Sequence, residues 1–120
     1  MGNISSSKYR KMKNSFRLDV AKFIAQKALV KQLLTYSELS EVFGGTPRGY
    51  GDILGGIAIR CHENKFPILP VIVVNKITKL PSVDALLYDD LGISDEKQLK
   101  LEQDRALAFD WAQTPLGAGA

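Results

Sequence analysis

Cysteine and histidine are almost missing from this chain, with Cys61 and His62 the single copy of each. A lone cysteine excludes an internal disulfide and fits a reducing compartment. Together the two residues cannot build a four-ligand zinc site without several carboxylates, so neither a metal nor a cofactor is expected. Long apolar runs are missing too. No stretch approaches the roughly 20 residues that span a bilayer, and the start is polar and charged where a signal peptide is apolar. The expectation is a cytoplasmic protein with no membrane contact. The opening MGNISS does satisfy the permissive myristoylation pattern, through Gly2 and Ser6. Repeats are absent, and low complexity is limited to the serines at 5–7 and the closing GAGA. What is present is enough apolar content, 45% of 120 residues, for one small domain with a single core.

The small net charge conceals an asymmetry. Residues 1–81 hold 13 Lys and Arg against 5 Asp and Glu, whereas residues 82–120 hold 3 against 8. Lys8, Arg10, Lys11, Lys13 and Arg17 all precede the first acid, Asp19. A cationic arm of this kind pairs with phosphates and releases their counterions, so nucleic acid is the natural partner. A basic arm also serves plain solubility. The acidic end argues against uniform coating of DNA and suits a mask, a core cover or a contact for a second protein.

From Ser15 to about Leu29, Phe16, Val20, Phe23 and Ile24 recur at helical spacing beside Arg17, Lys22 and Lys27, predicting an amphipathic helix. Thr35 and Glu38 then have capping-box spacing, opening a second helix that buries Leu39, Val42 and Phe43 and stops at Gly44 and Gly45. Thr46 as N-cap and Pro47 as first helical residue start another helix almost at once. Two helices joined by so short a turn have the form of a helix-turn-helix, which also occurs as a plain packing unit. In the later helix Gly49, Gly51, Gly55 and Gly56 crowd together, each at a cost of up to ~1 kcal/mol against alanine. Such glycines serve close approach of backbones, to DNA or to another helix, and packing is the favoured reading for Gly55 and Gly56. Arg48 and Tyr50 are placed to reach outward to phosphate, sugar or base.

After His62, residues 67–74 and 77–80 read as two strands around a tight turn at Asn75 and Lys76, a wing with Lys76 and Lys79 facing phosphate. The unbroken apolar run at 71–74 implies burial on both faces. A last helix, 94–113, begins with Ser94 as cap and Asp95 and Glu96 in its first turn. Its apolar residues Leu99, Leu101, Leu107, Phe109 and Trp111 spread too widely for one stripe.

Over roughly residues 16–80 the chain resembles the DNA-binding domain of the alkylguanine-DNA alkyltransferases and their non-catalytic relatives, the alkyltransferase-like proteins. TYSELSEVFGGTPRG resembles that family's TYGE helix and the N-P start of its recognition helix. LGG at 54–56 resembles its VGG, and FPILPVIVVN its PIPCHRVV strand. The resemblance implies a winged helix-turn-helix that enters the minor groove and rotates a nucleotide from the stack, with Tyr36 against the target phosphate. In this alignment the family's reactive cysteine falls on Val71, its histidine on Ile72, the next arginine on Val73, and its arginine finger near Asp52. Valine offers neither a nucleophile nor a proton acceptor, so no catalytic residue is expected. A rival alignment matches Ile59-Arg60-Cys61-His62 to the family's I-P-C-H and would make Cys61 an alkyl acceptor. It leaves too little room after Gly56 and no role for the PIL-P element.

The combined expectation is a mainly α chain with a small β wing, a winged helix-turn-helix. It comprises a flexible basic arm at 1–14, a DNA-binding domain with C-terminal helix at 15–113, and a flexible tail at 114–120. Its function is to grip duplex DNA without catalysis through Tyr36, Thr46, Arg48, Tyr50, Arg60, Lys65, Lys76 and Lys79. The acidic C-terminal segment is a candidate surface for a repair or nuclease partner, and a protein-interaction module is the alternative.

Overall fold

A computed structural model describes residues 6–46, 50–77, 92–93 and 95–114. These are mainly helical, with a two-stranded sheet. Five α-helices occur among them: α1 Ser6–Asn14, α2 Leu18–Leu29, α3 Tyr36–Phe43, α4 Gly51–Glu63 and α5 Glu96–Ala108. Strand β1 is Leu34–Thr35 and β2 is Val73–Val74, and single 3-10 turns cover Leu69–Ile72 and Trp111–Gln113.

The central helix α2 buries Val20 and Ile24 of the predicted stripe together with Ala21, Ala25 and Ala28, while Phe23 is half-buried. It begins at Leu18, so Phe16 lies just outside it. The capping box forms as its residues dictate: Thr35 Oγ1 accepts from the Glu38 amide at 3.2 Å, and Glu38 Oε1 accepts from the Thr35 amide at 3.2 Å. At the other end of α3, Gly44 and Gly45 have φ of 84° and 77°, a backbone that favours glycine. Among the described residues Tyr50 lies in a 3-10 turn and the next α-helix runs from Gly51, with Tyr50 as its N-cap. Pro47, Arg48 and Gly49 lie outside the described residues.

One expectation changes. The arm is not a loose tail from Ser6 onward, because residues 6–14 form α1 and pack on α4. Met12 is buried, and Gly56 admits the end of α1 so closely that an added Cβ would collide with the Met12 carbonyl oxygen and stand 3.0 Å from the Phe16 nitrogen. The second strand of the expected wing, 77–80, lies outside the described residues from 78 onward. Strand β2 pairs in parallel with β1, Leu34 opposite Val73 and Thr35 opposite Val74. Parallel pairing suits strands covered on both faces, and Val71, Ile72 and Val73 have no exposed surface. The Asn75 turn does form, with the Ile77 amide donating to Asn75 Oδ1 at 2.8 Å, while residues 78–80 are outside the description.

Finally, α5 is part of the core. Its N-cap is Asp95, which accepts from the Gln98 amide at 2.8 Å; Ser94 is not among the described residues. Along its inner side Leu99, Glu102, Gln103 and Ala106 are buried. Glu102 accepts from the Ile68 amide at 2.7 Å and from Arg105 Nη1 at 2.7 Å, and Gln103 Nε2 donates to the Val71 carbonyl at 2.9 Å. These two side chains satisfy backbone groups of a buried non-helical segment, where each orphan would cost about 1–3 kcal/mol. Trp111 then closes the end, its Nε1 donating to the Ala106 carbonyl at 2.7 Å.

Candidate nucleic-acid interface

The glycine-rich helix α4 is not an exposed rod. From Leu54 to Ile59 every residue is buried, with α1 on one side and the Leu69–Ile72 turn on another. Only its ends meet solvent, at Gly51 and again at His62 and Glu63. Gly55 and Gly56 therefore serve packing, and the surface expected along α4 is replaced by the outer side of α1. That helix has no acidic residue, and Lys8, Arg10 and Lys11 on it are exposed. Lys11 reaches Asp52 in the first turn of α4 at 3.5 Å, and Lys13 reaches Glu63 at 2.7 Å. The first of these contacts sets the cationic helix beside the start of α4.

The individual residues divide accordingly. Tyr36 is half-buried at the first position of α3, and the parallel register of β1 with β2 brings it out at the same edge as Asn75 and exposed Lys76. Thr46 is exposed beyond the far end of α3. Tyr50 does not reach outward: only 3% exposed, it donates its hydroxyl to the Gly44 carbonyl at 2.6 Å and so ties the turn to α4. Arg60 lies over the Phe16 ring, 4.5 Å from its centroid, with Nη2 donating to the Lys13 carbonyl at 3.4 Å. Lys65 is exposed past the C-terminus of α4 with φ of 61°. Arg48 and Lys79 lie outside the described residues. The described members thus split between the two ends of α3 and the far end of α4 and do not form one patch.

Arg17, expected in the basic run and on the cationic flank of the first amphipathic helix, is tied down locally. It forks onto Asp19 at 2.7 and 3.2 Å and sits 5.5 Å from the Phe43 centroid. That hydrogen bond holds the Asp19 carboxyl below its ordinary range.

Both positions that the alignments assign to a reactive cysteine are buried. Val71 is fully buried, its amide donating to the Ile68 carbonyl at 3.1 Å. Cys61 is 3% exposed, and burial pushes its thiol from an ordinary 9.0 up to about 11. The thiolate is the nucleophile, so at neutral pH this sulfur is protected twice, by access and by protonation. In the native protein Cys61 is expected to resist iodoacetamide at pH 8 while reacting in denaturant, as read by intact-mass spectrometry. Because the folded thiol keeps its proton where the unfolded one releases it, Cys61 contributes stability below about pH 9 that is lost as pH rises through about 11. Rapid native labelling at pH 8 would reopen the alkyl-acceptor alignment.

The acidic C-terminal helix does not lie on α1. It packs on α2 and the Leu69–Ile72 turn, where Lys31 Nζ donates to the Leu107 carbonyl at 2.8 Å. Composition alone hid the inward carboxyl and amide of Glu102 and Gln103, yet their place between Leu99 and Ala106 at helical spacing was a usable signal. Among the described residues no helix is long and apolar enough to cross a membrane. No protein-family model matches the chain, and no curated protein or solved structure matches it either.

Proposed function

We propose that this chain is a non-catalytic duplex-DNA-binding module of winged helix-turn-helix type, related to the alkyltransferase-like proteins, that grips the phosphate backbone mainly through α1. The observation that carries the reading is α1 itself, a helix without acids that exposes Lys8, Arg10 and Lys11 beside the first turn of α4. It is supported by the glycine turn that ends α3 and by the parallel register of Thr35 with Val74, from which Tyr36 and Asn75 leave the sheet at the same edge. The half-exposed tyrosine at that edge is the contact to a displaced nucleotide that the resemblance implies. With α4 sealed along its middle, sequence reading by that helix is limited to its first turn and the preceding loop. Binding is therefore dominated by charge and weakly selective among sequences.

Fluorescence anisotropy on a short labelled duplex across a salt series tests this. The affinity is expected to fall steeply with salt. The double variant Lys8→Gln/Arg10→Gln is expected to reduce the log–log slope by about 2 and to weaken binding roughly tenfold or more at 0.1 M salt. Salt-independent binding, or a double variant that binds like the parent, rules out α1 as the grip.

A further inference from the structure

Where α1 runs into α2, a cleft of about 230 Å³ opens against α4. Phe16, Ile57 and Phe66 give it apolar walls, Leu18 stands at its rim, and Arg60 and Asn64 supply its polar groups. Arg60 alone among the lining residues carries a charge. No Asp or Glu of the described residues pairs with it. Among the described residues its guanidinium makes one hydrogen bond, the 3.4 Å contact to the Lys13 carbonyl, and its Nε is buried with no acceptor. The Phe16 ring holds one face of the guanidinium. Asn64 Nδ2 is committed to the Arg60 carbonyl at 2.7 Å, which fixes the amide beside it.

A half-buried cation at an apolar cleft, short of both counter-ion and acceptors among the described residues, is an unbalanced arrangement. A guanidinium wants planar, two-pronged acceptors, and a carboxylate provides them. The apolar walls reject a bare hydrated anion and favour an aromatic body, which gains from contact with two phenyl rings. The volume holds about seven waters at ~30 Å³ each, or a ligand of roughly ten non-hydrogen atoms.

We propose that this cleft is a binding site for a small aromatic carboxylate, seated against Phe16 and Phe66 with its carboxylate on Arg60. The reading uses none of the α1 cations assigned to DNA, so either assignment survives the failure of the other. Occupancy would also fasten Phe16, the residue that joins α1 to α2, against α4.

The test is a nitrogen-15 NMR titration of the full chain with phenylacetate, with phenylacetamide and inorganic phosphate in parallel. Phenylacetate is expected to saturate in the millimolar range with shifts centred on Phe16, Arg60 and Phe66, and phenylacetamide and phosphate to bind at least tenfold more weakly. Arg60→Gln is expected to lose at least tenfold in affinity. Leu18→Trp, a change at a half-exposed rim position, is expected to block the cleft with the fold intact and decides the matter if Arg60→Gln fails to fold. No saturable shift up to about 20 mM phenylacetate overturns the proposal. So does equal binding of the amide or of phosphate, or undiminished binding to a folded Leu18→Trp.

Discussion

Trp111→Ala is expected to destabilise the protein by about 3–5 kcal/mol, a large part of the roughly 5–15 kcal/mol that holds an ordinary domain together. The indole is fully buried, meets Phe109 at 4.8 Å and Phe66 at 6.0 Å between centroids, and anchors the Ala106 carbonyl. Its removal opens a cavity under the end of α5 and strips a hydrogen bond from a buried acceptor at the same time. Looser α5 then weakens the Glu102 and Gln103 clamps on Ile68 and Val71. Trp111→Phe retains much of the packing and is expected to lose less, about 1–3 kcal/mol for the orphaned carbonyl and the missing ring. Urea unfolding followed by circular dichroism measures both. A loss below about 1 kcal/mol for the alanine variant would place the residues after α5 outside the cooperative core. By the same reasoning a chain cut before α5 is not a fair test of a partner surface there, since the cut removes part of the core.

Gly56→Ala has the second large effect and the more informative sign. In an open helix the change gains up to ~1 kcal/mol. Here the new methyl meets backbone, the Met12 carbonyl oxygen and the Phe16 nitrogen and Cα at 3.0 and 3.2 Å, so no side chain can swing aside. The net expectation is a loss of about 2–3 kcal/mol as α1 is pushed off α4. Gly51→Ala in the same helix meets nothing within 4 Å and is expected to be neutral or to gain up to ~1 kcal/mol. Opposite signs from two glycines five residues apart isolate the α1 contact from helix propensity. A stabilising Gly56→Ala would mean that α1 does not dock there in solution. Hydrogen exchange of residues 6–14 should rise in parallel with the loss, and DNA affinity should fall if α1 is the grip.

How much of this was legible depends on the range of the forces involved. The Thr35–Glu38 cap, the glycine stop at Gly44 and Gly45, the buried stripe of α2 and the Asn75 turn all rest on groups within four residues of one another. Local sterics and hydrogen bonding settle such features, so they read directly from spacing. The docking of α1 was hidden because its own residues, SSKYRKMKN, look like a solvated tail; the reason it packs is a missing side chain at Gly56, more than forty positions away. The pairing of β2 with β1 was hidden for a related reason: a short apolar run states that it is buried, not which strand it will meet, and here Leu34 and Thr35 lie alongside Val73 and Val74. Among the candidate site residues, Lys65, Lys76 and Thr46 are exposed as expected, while Tyr50 and Arg60 turned inward because a Gly44 carbonyl and a Phe16 ring stood within reach.

The amino-acid order by itself determined a small helical chain with a basic front and an acidic rear, since charge, apolar content and cap residues act locally and need no partner. Tertiary packing alone decided that the cationic segment would be a helix laid over α4, that α4 would be sealed along its middle, and that α5 would clamp the strand segment. Those outcomes turn on shape complementarity and on which distant polar group satisfies a buried amide, quantities that exist only once the chain has closed on itself.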